Sequence, residues 1–259
     1  MIIVGEKLNS SIPSVLKIFE SGDEQAAAAL IRQQAKNADM LDINTALCAD
    51  ERGMMAKTLA LALETTQCSI MLDSPDPTVI LDVACLCGDR ETVINSVTPS
   101  QRIDELSDLL STGKYGIVAL PVGEAGTPET AQERVRIAEL LVNRLVRVGV
   151  REDRIYVDAL VEAAAFGQNN AKTTLETVSL LKKTLPVSKT VMGVSNVSFG
   201  LPARANLNNA FLACAVMAGL DMAIIDAAAT STVSALRAAG VLAGEDEYGI
   251  EYIDYIRSL

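Results

Sequence analysis

Histidine is absent from the 259-residue chain, and so is tryptophan. Without an imidazole there can be no Ser-His-Asp hydrolase, no His-ligated zinc centre and no histidine general base. Chemistry here falls to carboxylates, amides, lysines, tyrosines or a cofactor. Aromatic residues are only 3% of the chain, so its core must be assembled from Ala, Val, Leu and Ile. That composition suits strands buried on both faces with helices packed outside them. Positive charge is scarce as well: 22 Lys and Arg against 33 Asp and Glu give a formal net charge of −11. Nucleic acids and anionic membranes are held by clustered Lys and Arg, so neither partner is expected. No apolar run approaches the ~18 residues of a membrane span. The opening Met1–Val4, followed at once by Glu6 and Lys7, is too short for the apolar region of a signal peptide. A cytoplasmic location is therefore expected. Cys48, Cys68, Cys85, Cys87 and Cys214 match no zinc or disulfide spacing. They read as small buried thiols, Cys85 and Cys87 pointing to different faces of a helix, and no metal site is expected.

What the chain does have is alternation. Apolar runs at Ile2–Leu8, Met40–Asn44, Cys68–Asp73, Thr92–Val97, Gly116–Val122, Arg154–Leu160, Thr190–Asn196 and Met222–Ala227 predict strands. Between them the spacing predicts helices over Asp23–Asn37, Arg52–Thr66, Gln101–Ser111, Pro128–Arg147, Lys172–Leu185 and Arg204–Ala218, with a terminal helix over Glu245–Leu259. Pro77 and Pro128 sit where first helical turns tolerate proline. No linker or low-complexity segment interrupts the series. Eight strand–helix units in one domain, residues 1–259, give an α/β fold: a single (β/α)₈ TIM barrel, with an open doubly wound sheet as the alternative.

The strands share one feature. Nearly every one ends in Asp or Asn: Asn9, Asp42 with Asn44, Asp73, Asn95, Asp158, Asn196 and Asp226. Strand interiors disfavour both residues. Locally they cap turns and helix N-termini, and Asp42 and Asp226 are read that way. As a set they converge on the barrel face where such folds keep their sites. A mouth of carboxylates and amides with little Lys or Arg suits a neutral heterocycle rich in N–H donors, because carboxylates accept from ring N–H and amino groups. Lys7 is read as structural, pairing with Glu6 or another strand-end carboxylate.

Several of these elements carry a family likeness. Gly5-Glu6-Lys7-Leu8-Asn9, Leu41-Asp42-Ile43-Asn44, Leu72-Asp73-Ser74, Ile94-Asn95-Ser96, Tyr156-Val157-Asp158 and Gly193-Val194-Ser195-Asn196-Val197-Ser198 fall in order along the chain. Together they resemble the pterin-binding barrels, which include dihydropteroate synthase and the folate domain of cobalamin-dependent methionine synthase. The branch most similar is the stand-alone methyltetrahydrofolate:corrinoid protein methyltransferases. The resemblance implies a substrate, tetrahydrofolate or 5-methyltetrahydrofolate, whose N5-methyl group is exchanged with the cobalt of a cobalamin (corrinoid) cofactor on a partner protein, in either direction. It implies that Asp73, Asn95 and Asp158 hold the pterin edge and that Gly193 and Ser195 line the ring. Asn196 would be the catalytic amide beside N5, and Arg204 would contact folate or partner. A homodimer is implied too. Phe199 departs from the corrinoid/iron–sulfur branch, where Gln commonly follows Val-Ser, and with Leu201 and Pro202 it offers an apolar patch for docking. Dihydropteroate synthase and a non-catalytic pterin-binding protein are the alternative readings. Against the synthase, Ser195-Asn196 stands where a Ser-Arg-Lys type element would be expected.

Overall fold

Strands β1 (Ile2–Asn9), β2 (Met40–Asn44), β3 (Ser69–Asp73), β4 (Thr92–Val97), β5 (Gly116–Ala119), β6 (Ile155–Asp158), β7 (Lys189–Gly193) and β8 (Met222–Ile225) pair in sequential order in the computed structural model, which describes residues 1–100 and 102–259. Every pairing is parallel, and β1 joins both β2 and β8, so the sheet closes into a barrel. The open sheet is excluded. This is a single (β/α)₈ TIM barrel.

Side chains alternate across a strand, and here the two faces form separate cores. Outward-facing Ile3, Leu41, Ile70, Leu72, Ile94, Ile117 and Met192 pack with the surrounding helices. Inward-facing Val4, Met40, Met71, Val93, Val118, Tyr156, Val191 and Met222 plug the barrel. Three of these eight are methionines; flexible thioethers fill an irregular interior in a chain with few aromatics.

The helices differ from expectation at definite points. Pro77 opens helix Pro77–Val83 as expected, behind Asp76, which accepts from Thr78 N at 2.8 Å. Pro128 does not open one: helix Ala131–Val148 starts later, capped by the Thr130 hydroxyl. The helix expected over Gln101–Ser111, whose first residue lies outside the described residues, is otherwise two short pieces, Arg102–Glu105 and Ser107–Ser111. They are separated at Leu106, fully buried and outside helical geometry at φ −98°, ψ 4°. Strand β7 ends at Gly193, and Val194–Ser198 coils into a 3₁₀ turn instead of continuing to Asn196. The cysteines are less uniform than expected. Cys48 and Cys87 are buried, but Cys85 and Cys214 are exposed. Among the described residues no helix is long and apolar enough to cross a membrane.

Candidate active site at the barrel mouth

Two residues above the apolar plug, the inward-facing positions turn polar. Val4 is followed on its face by Glu6, Met40 by Asp42, Met71 by Asp73, Val93 by Asn95 and Tyr156 by Asp158. The period of two that fills the barrel therefore also builds the floor of its mouth. Register aligns much of the ring: Asn9, Asn44, Asp73 and Asn95 are successive Cα partners across β1 to β4. Above lies a cavity of about 570 Å³, lined by Asp42, Asp73, Asn95, Asp158, Gly193, Ser195, Asn196 and Arg204 among others. All the expected site residues are thus brought together.

The ring divides by what each side chain already holds. Asn9, Asn44, Asp158 and Asp226 each accept from the backbone N–H two residues on, at 2.8, 3.2, 2.7 and 3.1 Å. These are the local turns foreseen for strand-end Asx residues, and the reading of Asp226 as a cap holds. That of Asp42 does not. It is 3% exposed, it faces the cavity, and its Oδ1 has no partner. Asp73 makes no turn either; its Oδ2 accepts from the Asn44 amide at 2.8 Å.

Confinement moves these carboxyls. Burial pushes Asp158 up to about 6, against the backbone N–H of Leu160 and the guanidinium of Arg134. Burial also raises Asp73, opposed by the Asn44 amide and by Arg102. Asp42 is raised well above the usual carboxylate range by burial and then by the charge of Asp73, with the Asn95 amide opposing. A ligand presenting N–H donors needs these groups ionised. The empty fold holds protons here that the unfolded chain releases, so it loses stability as pH rises from about 4 to about 6. Affinity for such a ligand runs the other way. Binding of such a ligand is expected to tighten by up to ~10-fold per pH unit below the Asp158 midpoint and to level off above it. Calorimetric titration between pH 5 and 8 reads this directly; a flat profile would mean that the carboxyls are ionised before the ligand arrives.

The opposite wall is a clamped loop. Ser195 Oγ donates to Glu6 Oε2 at 2.6 Å, and Lys7 lies between Glu6 and Asp226 at 3.2 and 3.5 Å. Lys7 is thus paired with Glu6 as expected, within an ionic chain. Arg204 donates from Nε to Ser198 Oγ at 2.9 Å and from Nη2 to the Ser195 carbonyl at 2.7 Å. Its fork binds the 3₁₀ turn while the residue lines the cavity. Asn196, at the middle of that turn, is exposed and takes no part in these bonds. Its amide lies against Gly193, where an added Cβ would come within 3.2 Å of Nδ2.

Two site residues escaped the sequence reading. Asn208, on helix Arg204–Ala218, lines the cavity with a buried, unpartnered Oδ1. The Asn208-Asn209 pair inside a helix was the available signal, since asparagine disfavours helix interiors. Arg102 donates to the carbonyls of Ser74 and Pro75 and so braces the loop after Asp73. Nothing in its sequence context marked it.

A parallel (β/α)₈ barrel whose C-terminal mouth holds a pocket of carboxylates and amides is the class that fold and site define. A family model described as pterin binding enzyme matches residues 6–226. The chain belongs to that family. It is 28% identical to a methylcorrinoid:tetrahydrofolate methyltransferase of Eubacterium limosum, over 97% of this chain and 94% of that protein. To the methionine synthase of Mycobacterium tuberculosis it is 34% identical over 88% of this chain, but it spans only 20% of that longer protein. Among solved structures, a dihydropteroate synthase from Xanthomonas albilineans in complex with 7,8-dihydropteroate superposes with a TM-score of 0.66, at 16% identity, over 93% of this chain and 92% of that one. That last likeness is one of fold.

Proposed function

We propose that this chain exchanges a methyl group between N5 of a tetrahydrofolate and the cobalt of a corrinoid carried by a partner protein. The observation that carries the reading is the end-to-end likeness to a methylcorrinoid:tetrahydrofolate methyltransferase. The geometry agrees with it. Asp73, Asn95 and Asp158, all lining the cavity, offer acceptors for the N–H edge of a pterin. Gly193 and Ser195 flank the ring, and Asn196 extends a free amide over the position of N5. Arg204 serves by holding the turn that carries Asn196.

The corrinoid supplies or receives the methyl group; this chain's part is to hold and orient the folate. When N5 gains a methyl group it gives up its proton to solvent, and when it loses one it takes a proton back. The Asn196 amide stabilises N5 through that change of charge. Dihydropteroate synthesis is less well supported, because the cavity's two cations among the described residues, Lys7 and Arg204, are already committed to Glu6, Asp226 and the Ser195–Ser198 turn.

The test mixes purified protein with methyltetrahydrofolate and free cob(I)alamin and follows the cobalt absorbance. Methylcobalamin should form, and Asn196→Ala should slow it by ~10-fold or more, as loss of a preorganised donor does. Tight folate binding with no exchange, to free cobalamin or to corrinoid proteins, would leave a non-catalytic pterin-binding barrel.

A further inference from the structure

The chain has 4 phenylalanines and no tryptophan, yet Phe166 and Phe199 stand 76% and 60% exposed. They form one pair, with ring centroids 6.3 Å apart and planes tilted by 48°. Two separate loops bring them together, that between β6 and helix Asn170–Thr184 and that between β7 and helix Arg204–Ala218. The loops are fastened to each other: Ala164 N donates to the Val197 carbonyl at 2.9 Å. Gly200, at φ +80°, lies beside Phe166, and an added Cβ there would stand in ordinary contact with its ring at 4.0 Å. Phe199 stands three residues beyond Asn196. Leu201, which the sequence placed in the same patch, is instead half-buried. A third exposed apolar side chain, Leu47 at 62%, sits on the loop after β2. In an eight-strand ring β2 lies opposite β6, so the loops carrying these apolar groups leave opposite sides of the barrel.

Exposed aromatics on a fixed rim mark a contact surface. A partner with a single apolar side chain to bury would need one such group beside the mouth. Groups on opposing rims fit something broad and flat that bridges the opening. Methyl transfer demands that arrangement, since the methyl-bearing metal must face N5 in line while its macrocycle spreads over the rim. We infer that Phe166 and Phe199, with Leu47 across the mouth, form the seat of the corrin macrocycle itself. This rests on the methyltransfer reading above. Folate fills the polar floor, and the corrin closes the mouth on the apolar rim.

Free methylcobalamin is the probe, with tetrahydrofolate as methyl acceptor, so no partner protein is needed. The double variant Phe166→Ser, Phe199→Ser should raise the KM for methylcobalamin by ~10-fold or more, as losing two aromatic contacts does. Its tetrahydrofolate Kd should stay at the wild-type value, and Leu47→Ser should give a smaller rise in the same KM. Both sites are exposed, and an unchanged folate Kd shows that the barrel has folded. Wild-type protein that exchanges no methyl group at all would refute the reading of the function. Wild-type exchange with an unmoved KM in the double variant would refute the seat alone. A KM that moves only when a corrinoid protein is the donor would assign the rim to protein contact and overturn the seat as well.

Discussion

Asp158→Ala is expected to weaken tetrahydrofolate binding by about one to two orders of magnitude, since a hydrogen bond to a charged group contributes about 1.5–3 kcal/mol and every ~1.4 kcal/mol is tenfold in Kd. The two oxygens of Asp158 have different duties. Oδ1 accepts from Leu160 N at 2.7 Å and fixes the turn that leaves β6. Leu160 there adopts φ +59°, a left-handed conformation that a leucine holds only when its surroundings impose it. The remaining acceptor capacity faces the cavity. Alanine removes both duties, so asparagine is the sharper variant. Its carbonyl oxygen can keep the Leu160 turn, but its NH₂ then meets the N–H edge of the pterin donor to donor. Asp158→Asn should therefore fold with a near-normal melting temperature and yet bind nearly as weakly as Asp158→Ala. Its affinity should also lose the part of the pH dependence that Asp158 confers through its pKa of about 6. Calorimetric titration with thermal melting separates the two effects. Binding by Asp158→Asn within about threefold of wild type would mean that Asp158 shapes the turn and does not hold the ligand.

Much of the barrel was legible because period-two patterning and polar strand ends are local signals. Helix Arg204–Ala218 begins and ends where the sequence placed it, and β2 and β4 match to the residue. Discrepancies arise where a distant partner overrides local preference. The run Thr190–Asn196 reads as strand throughout, but an arginine further along the chain grips Ser195 and Ser198 and coils the segment after Gly193. The string Tyr-Gly-Ile-Val-Ala-Leu-Pro-Val from Tyr115 to Val122 is apolar to its end, yet β5 stops at Ala119. The site shows the same division. Its composition could be read from strand ends, since their convergence follows from the fold. Which aspartate is free could not: Asp42 and Asp226 look alike in sequence. Only the structure shows that Asp226 is held by Gln34 Nε2 at 2.9 Å and by its own turn, while Asp42 Oδ1 is left without a partner. The Phe166–Phe199 pair was half legible. Phe199 stood out beside Asn196, but its neighbour comes from a loop that only the tertiary contacts bring near.

The largest stability loss is expected away from the cavity floor, at Arg134→Met. Arg134 is 1% exposed, on helix Ala131–Val148, whose sequence gives no sign that this arginine points inward. Its Nε donates to the Pro128 carbonyl at 2.9 Å, and Nη1 donates to the carbonyls of Ala159 and Leu160 at 3.1 and 2.6 Å. Nη2 meets Glu162 Oε2 at 2.5 Å. One guanidinium thus ties the loop after β5, at Pro128, to the start of the loop that follows Asp158. Burial lowers its pKa and the charge of Glu162 opposes that fall, the balance of a buried cation retained because it is paired. Methionine would fill the channel with a similar stem but donate nothing. The Pro128 and Ala159 carbonyls would lose this donor while the Leu160 carbonyl keeps only the Thr174 hydroxyl at 3.1 Å. Breaking a buried charged network of this kind costs about 3–5 kcal/mol. At about 2–4 °C per kcal/mol for a domain of this size, the melting temperature should fall by roughly 6–20 °C. Arg134→Lys should recover little, because a single ammonium cannot reach the carbonyls of both loops and the Glu162 carboxylate together. Folate affinity should fall with stability, since the same loop carries Leu160 beside Asp158. Urea unfolding with parallel folate titration tests this. A variant within about 1 kcal/mol of wild type would show that water replaces the guanidinium, and that Asp158 and the Thr174 hydroxyl suffice to hold the left-handed turn at Leu160.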